Sequence, residues 1–126
     1  MFFENQGAAI AVCDVLHFQT EKVNVTHNTD RSYHAISFRK KADTVLSYAD
    51  RKFCLSGKSI TFVPAGLSYV RKARNEEMVV IHFSSDGIVT EDIKVFIPQK
   101  METFEKLFDE ILRVWKIGRA SCRERV

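Results

Sequence analysis

The stretch HAISFR, residues 34–39, alternates apolar and polar side chains at the period of a β-strand. Successive side chains of a strand point to opposite faces, so positions 34, 36 and 38 share one face and positions 35, 37 and 39 share the other. A polar run at residues 40–43 is predicted to break this strand, and TVLSY, residues 44–48, is predicted to resume it. The centre of the chain is therefore predicted to form β-structure.

Short strand patterns continue on both sides of this centre. Downstream, strands are predicted at residues 51–55, 59–63 and 69–74, and weaker candidates lie upstream at residues 14–19 and 21–25. Residues 50–51 are predicted to turn the chain, Ser56-Gly57-Lys58 to form a hairpin turn, and residues 75–77 to form a polar turn. MVVIHF, residues 78–83, is apolar on both faces and is predicted to be covered on both sides. Short strands separated by turn signals indicate a barrel or a sandwich.

The hydrophobic pattern changes to a helical period after Pro98. Apolar residues then recur at intervals of three and four, which places them on one stripe of a helix: Phe104, Leu107, Phe108, Ile111, Leu112 and Trp115. We expect this stripe to pack partly on the strands and partly on another protomer. The candidate interface residues are Phe104, Phe108, Ile111 and Trp115, with Trp115 as the anchor.

The last ten residues, IGRASCRERV (117–126), can be back-translated into a string that resembles a sequencing adapter. We interpret them as a foreign segment and exclude them from the fold prediction. Without their three arginines and one glutamate, the formal net charge falls from +3 to +1. The remaining charge does not favour a nucleic-acid-binding surface.

Other features of the composition restrict the class of protein. Cys13 and Cys54 have no pairing or metal-binding motif around them, and we expect both to be buried thiols in a reducing compartment. No apolar run is long enough to cross a bilayer, and no secretory leader is present. The sequence therefore predicts a cytoplasmic protein with no membrane partner.

Four stretches in order resemble the N-terminal domain of AraC-type transcription regulators: RSYH running into AISFR, SITFVPAGLSY, MVVIHF, and FIPQ leading to LFDEILRVW. The likeness extends from about Arg31 to Trp115. It implies a mostly β fold, a cupin-like double-stranded β-helix (jelly-roll) barrel followed by a C-terminal amphipathic α-helix. The domain division that follows is a sensor barrel at residues 1–98, a first dimerisation-type helix at 99–116, and the foreign tail at 117–126.

The resemblance also implies a function. Members of the family bind a small effector, such as a sugar or another metabolite, inside the barrel, and they form homodimers through helices that follow it. They contact promoter DNA through a C-terminal domain with two helix-turn-helix units, which this chain lacks. We therefore expect a fragment of a regulator with no enzymatic activity. A stand-alone cupin-fold metal enzyme and a stand-alone metabolite-binding module are the alternatives.

Seven residues are candidate ligand contacts. Arg31 precedes the first strand of the resemblance, where a guanidinium at the barrel mouth can hold a hydroxyl or a carboxylate. Tyr69 and Arg71 share one strand face, and Met78, Val80 and His82 share another. If the latter three point inward, the pocket is predicted to be apolar with a single polar point at His82. His34 completes the set.

No metal, cofactor or catalytic residue is expected. The enzyme alternative requires His34 and His82 to meet near a third ligand, since a catalytic metal needs about three protein ligands and an open position. No nucleophile elbow or phosphate-binding glycine loop is present in the sequence. The histidines are instead expected to form hydrogen bonds.

Overall fold

The computed structural model describes residues 10–86 and 92–124, with residues 120–124 described through their backbone. Within these residues the chain forms seven strands and a helix: β1 (Ile10–Thr20), β2 (Asn24–Asn28), β3 (His34–Tyr48), β4 (Arg51–Ser56), β5 (Ser59–Val63), β6 (Tyr69–Ser85), β7 (Lys94–Phe96) and α1 (Met101–Glu124). All strand pairs are antiparallel. The predicted mostly β jelly-roll fold with a C-terminal helix is confirmed.

Two long strands, β3 and β6, form the centre of the sheet and pair with each other over most of their length. On the far side of β6, β1 and β2 follow one another along its edge. On the far side of β3, β5 and β4 do the same, and β7 then pairs with β5. The sheet therefore has two halves, which are joined by the two central strands. The first half contains β1, β5 and β7, and the second half contains β2 and β4.

Both central strands carry irregularities at the junction of the halves. The register of β3 against β6 shifts between Arg39 and Lys41 and again between Lys41 and Asp43, and Asn75 in β6 has a φ of 48°. A bulge bends a strand without ending it. The predicted break at residues 40–43 and the predicted polar turn at residues 75–77 are therefore wrong, because both segments are bulged parts of continuous strands.

The turn predicted at Ser56-Gly57-Lys58 is also not a hairpin. The strands on either side of it, β4 and β5, both pair with β3 and continue in the same direction. The positive φ lies at Lys58, whereas a Cβ on Gly57 would stand 3.0 Å from the carbonyl oxygen of Lys40. The glycine is needed for this close approach of two backbones. The chain reverses instead at Ala49-Asp50, where both φ angles are positive, next to the turn predicted at residues 50–51.

The first half of the sheet is covered on both faces, as predicted for residues 78–83. One face packs against α1 through a core of Val15, Phe38, Ile60, Val79 and Phe108. The alternate residues of the same strands face the space between the two halves. The two cysteines lie at the surface. Cys13 and Cys54 are both exposed, so the expectation that they are buried is wrong.

The helix α1 begins at Met101 and runs without interruption to Glu124, past residue 116, where the sequence analysis placed the end of the native chain. It lies on the outer face of the first half, where it contacts β1, β3 and β6. No helix in the described part of the chain has the length and apolar character needed to cross a membrane.

Candidate functional site

A cavity of about 140 Å³ lies between the two halves of the sheet. Strands from both halves contribute to its wall, because the bulged central strands bring their inward-facing side chains together. Six of the seven residues predicted as ligand contacts line this cavity: Arg31, Tyr69, Arg71, Met78, Val80 and His82.

His34 is the exception among the predicted contacts. It pairs with Phe83, whereas its neighbour Ala35 pairs with His82, so the two histidines lie on opposite faces of the sheet. The His34 ring stacks against Phe62 at 5.8 Å between ring centroids, and its Nδ1 accepts a hydrogen bond of 2.9 Å from the backbone N–H of Ala65. The prediction that His34 is a ligand contact is therefore corrected. His34 anchors the chain after β5 and does not reach the cavity.

The cavity is more polar than the sequence analysis predicted. Met78 and Val80 do form an apolar wall together with Ala35, Leu46 and Val63. However, three arginines, Arg31, Arg39 and Arg71, also line the cavity, in addition to His82. The prediction of an apolar pocket with a single polar point is therefore wrong, because it considered only the face of Met78, Val80 and His82, whereas the arginines come from the loop before β3, from β3 and from the first part of β6.

Glu76 is the centre of a buried ionic cluster behind the cavity wall. Its side chain is fully buried, and its Oε2 accepts hydrogen bonds of 2.9 Å from Arg39 Nε and 2.8 Å from the Thr44 hydroxyl. Its Oε1 accepts a hydrogen bond from Arg71 Nη2. Arg39 Nη1 in turn donates to the hydroxyls of Ser37 and Thr61 at 2.9 and 3.1 Å. A single carboxylate thus holds two guanidinium groups in fixed positions.

The pKa of Glu76 reflects this environment. Burial alone would raise the pKa of this carboxyl, because a low dielectric disfavours the charged form. The hydrogen bond from Arg71, the charge of Arg39 and the hydrogen bond from Thr44 outweigh burial, and the pKa is lowered. Glu76 is therefore ionised in the folded protein at neutral pH.

Neither Arg39 nor Glu76 was identified from the sequence. The sequence pattern places Glu76 in a polar turn and Arg39 on a strand face without a partner. One signal was available: Arg39 shares its face with Ala35 and Ser37 in the alternating stretch. An arginine on an inward face requires a carboxylate partner, because a buried charge without one is costly.

Arg31 occupies the loop between β2 and β3 at the rim of the cavity. Its Nη2 donates a hydrogen bond to Asn28 Oδ1. Its guanidinium carbon lies 5.4 Å from the ring centroid of Tyr33 and 5.9 Å from that of Tyr69, within the range of cation–π attraction. In the described part of the chain, no carboxylate forms an ion pair with Arg31.

His82 is neutral inside the cavity at neutral pH. Burial lowers its pKa from 6.5, and the positive charge of Arg31 lowers it further. Burial also lowers the pKa of His34. Because the unfolded chain has a histidine pKa near 6.5, the stabilisation from each neutral ring is complete above pH 6.5 and is lost as the pH falls through the lowered pKa of the folded state.

We therefore expect the free energy of unfolding to decrease as the pH is lowered from about 7.5 to about 5.5. Urea denaturation at several pH values measures this slope. The variant His82→Gln should make the slope shallower, since it removes one of the two groups that unfolding protonates. A stability that is constant or increases towards pH 5.5 would contradict this assignment.

The two-histidine metal site required by the enzyme alternative does not form, because His34 and His82 point to opposite faces of the sheet. Within residues 10–86 and 92–119, no group of three or more His, Cys, Asp or Glu side chains is arranged to hold a metal ion. The site is a small, partly open cavity with positively charged side chains in its wall.

The candidate interface residues of α1 divide between two environments. Phe108 is buried against Phe38, with 5.7 Å between ring centroids, and has no free surface for a partner, so its assignment to an interface is corrected. Ile111 and Trp115 are partly buried at the same core, whereas Phe104 is exposed. An open apolar groove lies between α1 and β1, lined by Val12, Val15, Ile111, Val114 and Trp115 among others.

Comparisons with known proteins give a likeness of fold. No protein-family model matches the chain, and no curated protein matches its sequence. Among solved structures, the chain is similar to ToxT from Vibrio cholerae with a TM-score of 0.54 and 12% sequence identity. The match covers 94% of this chain and 56% of the ToxT chain, so the chain spans just over half the length of that protein.

Proposed function

We propose that the chain is the effector-sensing and dimerisation part of an AraC-type transcription regulator. The observation that carries this proposal is the similarity of fold to ToxT, a regulator of that type, over 94% of the chain. The order of the sequence stretches that resemble the same family supports it independently. The protein would act in the cytoplasm, without catalysis and without a membrane partner.

The cavity between the two halves supports the sensing role. Its side chains come from β1, β2, β3, β5, β6 and the loop before β3, so a ligand inside it would contact both halves of the sheet at once. A small closed barrel has room for one small ligand among its inward side chains. An effector bound there would change the relative position or rigidity of the halves, and α1 packs directly on one of them.

The surface of α1 supports the dimerisation role. Leu107 and Val114 are 50% and 54% exposed, which leaves apolar side chains uncovered along the helix. An amphipathic helix with such a surface is expected to pack against another helix. We propose that the partner is the same helix of a second protomer in the full-length regulator.

We propose that DNA is bound by a further domain of the parent protein. The ToxT chain extends well beyond the aligned region, since the match covers 56% of it. We propose that the parent protein of this chain likewise continues into a helix-turn-helix domain and that residues 117–126 are foreign to it.

The test is to sequence the source DNA through and beyond the codon of Lys116 with adapter sequence trimmed. The proposal expects the reading frame to continue into further helices and two helix-turn-helix units. The complete protein should then bind a DNA fragment from upstream of its own gene, whereas the 126-residue chain should not. A stop codon directly after Lys116, or sequence-specific DNA binding by the present chain, would contradict the proposal.

A further inference from the structure

Two ion pairs join α1 to the sheet next to the bulge of β3. Lys40 Nζ lies 2.9 Å from Asp109 Oδ1, and Lys58 Nζ pairs with Glu105 Oε1. Glu105 and Asp109 are four residues apart on the helix, so they project from the same face of α1. The first half of α1 is therefore attached by charge to two lysines that belong to different connections of the sheet.

The backbone of the bulge holds these two lysines in a fixed relation to each other. The N–H of Lys58 donates a hydrogen bond of 2.7 Å to the carbonyl oxygen of Arg39. A Cβ on Gly57 would lie 3.0 Å from the carbonyl oxygen of Lys40 and 3.0 Å from the Cα of Lys41, so the two segments are in close contact. A displacement of the bulge therefore displaces both lysines that contact α1.

The inner side of the same bulge is fixed by the buried ionic cluster. Arg39 directly precedes Lys40, and the register of β3 against β6 shifts between Arg39 and Lys41. The side chain of Arg39 is 4% exposed, and its Nε donates a hydrogen bond of 2.9 Å to Glu76. Two consecutive residues of the bulge thus connect to opposite sides of the sheet, Arg39 to the cluster and Lys40 to α1.

The residue before the bulge cannot absorb a movement of Arg39. Phe38 is fully buried, and its ring centroid lies 5.7 Å from that of Phe108 in α1. A close-packed core resists small displacements, because it has few voids into which a side chain can shift. A change in the position of Arg39 is therefore expected to pass to the less constrained side, where Lys40 is 25% exposed.

We propose that the bulge of β3 and the segment Gly57-Lys58 packed against it form a latch, which couples the docking of α1 to the Arg39–Glu76 ion pair. With this pair intact, the latch holds Lys40 and Lys58 against α1, and disturbance of the pair loosens both contacts with the helix. The coupling is reciprocal, as coupling between two sites must be, so loss of a helix contact also loosens the buried pair. The latch is a property of this chain, whereas its consequence for pairing of protomers through α1 rests on the proposed function.

Solvent exchange of the Arg39 Nε–H, measured by NMR on the 126-residue chain, tests the coupling from the helix side. Asp109→Asn removes a charge from α1 without touching the buried cluster. We expect it to increase the exchange rate of the Arg39 Nε–H by about two- to fivefold, which corresponds to the loss of a partly exposed ion pair. The backbone amide of Val79, in the centre of the sheet, corrects each rate for global unfolding.

The matched control for this variant is Glu110→Gln on the same helix. Glu110 is exposed and pairs with Arg113 within α1, so its substitution makes the same change of charge without affecting the latch. It should leave the exchange rate of the Arg39 Nε–H unchanged. An unchanged rate in Asp109→Asn as well would overturn the latch.

Gly57→Ala tests the latch itself without changing any charge. The added methyl group must displace the backbone at Lys40, so the Arg39 Nε–H and the amides of residues 105–109 in α1 should both exchange faster. An ion pair can be lost only once, so the effect of Gly57→Ala on the α1 amides should be at least about twofold smaller in the Asp109→Asn background than alone. Effects that simply multiply would contradict the latch, and they are the expected result with Glu110→Gln in place of Asp109→Asn.

A milder substitution covers the case in which Gly57→Ala does not fold. Thr44→Val removes the hydroxyl that donates a hydrogen bond of 2.8 Å to Glu76 and keeps the shape of the side chain. The amides of residues 105–109 should then exchange faster relative to that of Val79, and equal relative rates would overturn the coupling. None of these measurements involves an effector or DNA, so the latch and the proposed regulator function can fail independently.

Discussion

Replacing Glu76 by glutamine is expected to destabilise the folded domain by about 3–5 kcal/mol, since removal of one partner from a buried ion pair leaves an uncompensated buried charge. Glutamine has nearly the same shape, so packing is retained and the change isolates the charge. Arg39 and Arg71 are the groups left unpaired, since their side chains are only 4% and 13% exposed and both form their ion pair with Glu76. Denaturation by urea, monitored by circular dichroism, measures the loss.

Two controls separate the ion pair from general effects at this position. Glu77→Gln removes the next carboxylate along the strand, which is partly exposed and contacts His17, and should cost about 1 kcal/mol or less. The triple variant Arg39→Met/Arg71→Met/Glu76→Leu removes all three charges of the cluster and should recover most of the lost stability, since apolar replacements of buried ion pairs are often tolerated. Equal, small effects of Glu76→Gln and Glu77→Gln would contradict the buried cluster.

Replacing Phe108 by alanine is the second change with a large expected effect. Phe108 is 5% exposed and is the side chain of α1 that lies deepest in the core with Phe38 and Val79. Truncation of a buried phenylalanine costs about 3–5 kcal/mol through lost burial and the cavity it leaves. A domain with a total stability of about 5–15 kcal/mol would be left marginal, and α1 should separate from the sheet first.

The neighbouring residue supplies the control for this variant. Leu107 is 50% exposed, so Leu107→Ala should change the free energy of unfolding by less than about 1 kcal/mol. Proteolysis of the Phe108→Ala variant should begin within α1, and near-ultraviolet circular dichroism should show the loss of the Trp115 signal. Comparable effects of the two substitutions would mean that α1 does not pack on the sheet as described.

Periodicity was sufficient to predict the parts of the fold in which local pattern and burial agree. The alternation at residues 34–39 correctly separated the two faces of β3, although it did not show which face meets the cavity, and the apolar run at residues 78–83 correctly indicated a strand covered on both faces. The change of period after Pro98 predicted the helix and the stripe that packs it. These features depend on neighbours within one element, which a sequence displays directly.

The bulges and the ionic cluster could not be predicted in the same way. Polar residues at positions 40–43 and 75–77 are typical of turns, and the same residues are compatible with bulges, where one residue is left unpaired. Only pairing with a distant strand distinguishes the two. Glu76 and Arg39 are 37 residues apart in the sequence. The residues next to either one therefore do not show the oppositely charged partner that allows it to be buried. For this reason, the predicted cavity was more apolar than the cavity that the structure shows.

The same cluster connects stability to the proposed binding. Glu76 neutralises one of the two guanidinium groups that it holds, and the remaining charge, together with that of Arg31, stays available at the cavity wall. The rigid placement of donors before a ligand arrives reduces the cost of ordering them on binding. The buried carboxylate is in this sense part of the binding site although it does not line the cavity.

The central claim is that Arg39, Arg71 and Glu76 form one buried ionic cluster behind the cavity wall, and solvent exchange of the arginine side chains measured by NMR tests it most directly. We predict that the Nε–H of Arg39, which donates to Glu76, exchanges with solvent much more slowly than the Nε–H of exposed Arg74. Equal exchange rates for the two side chains would contradict the account.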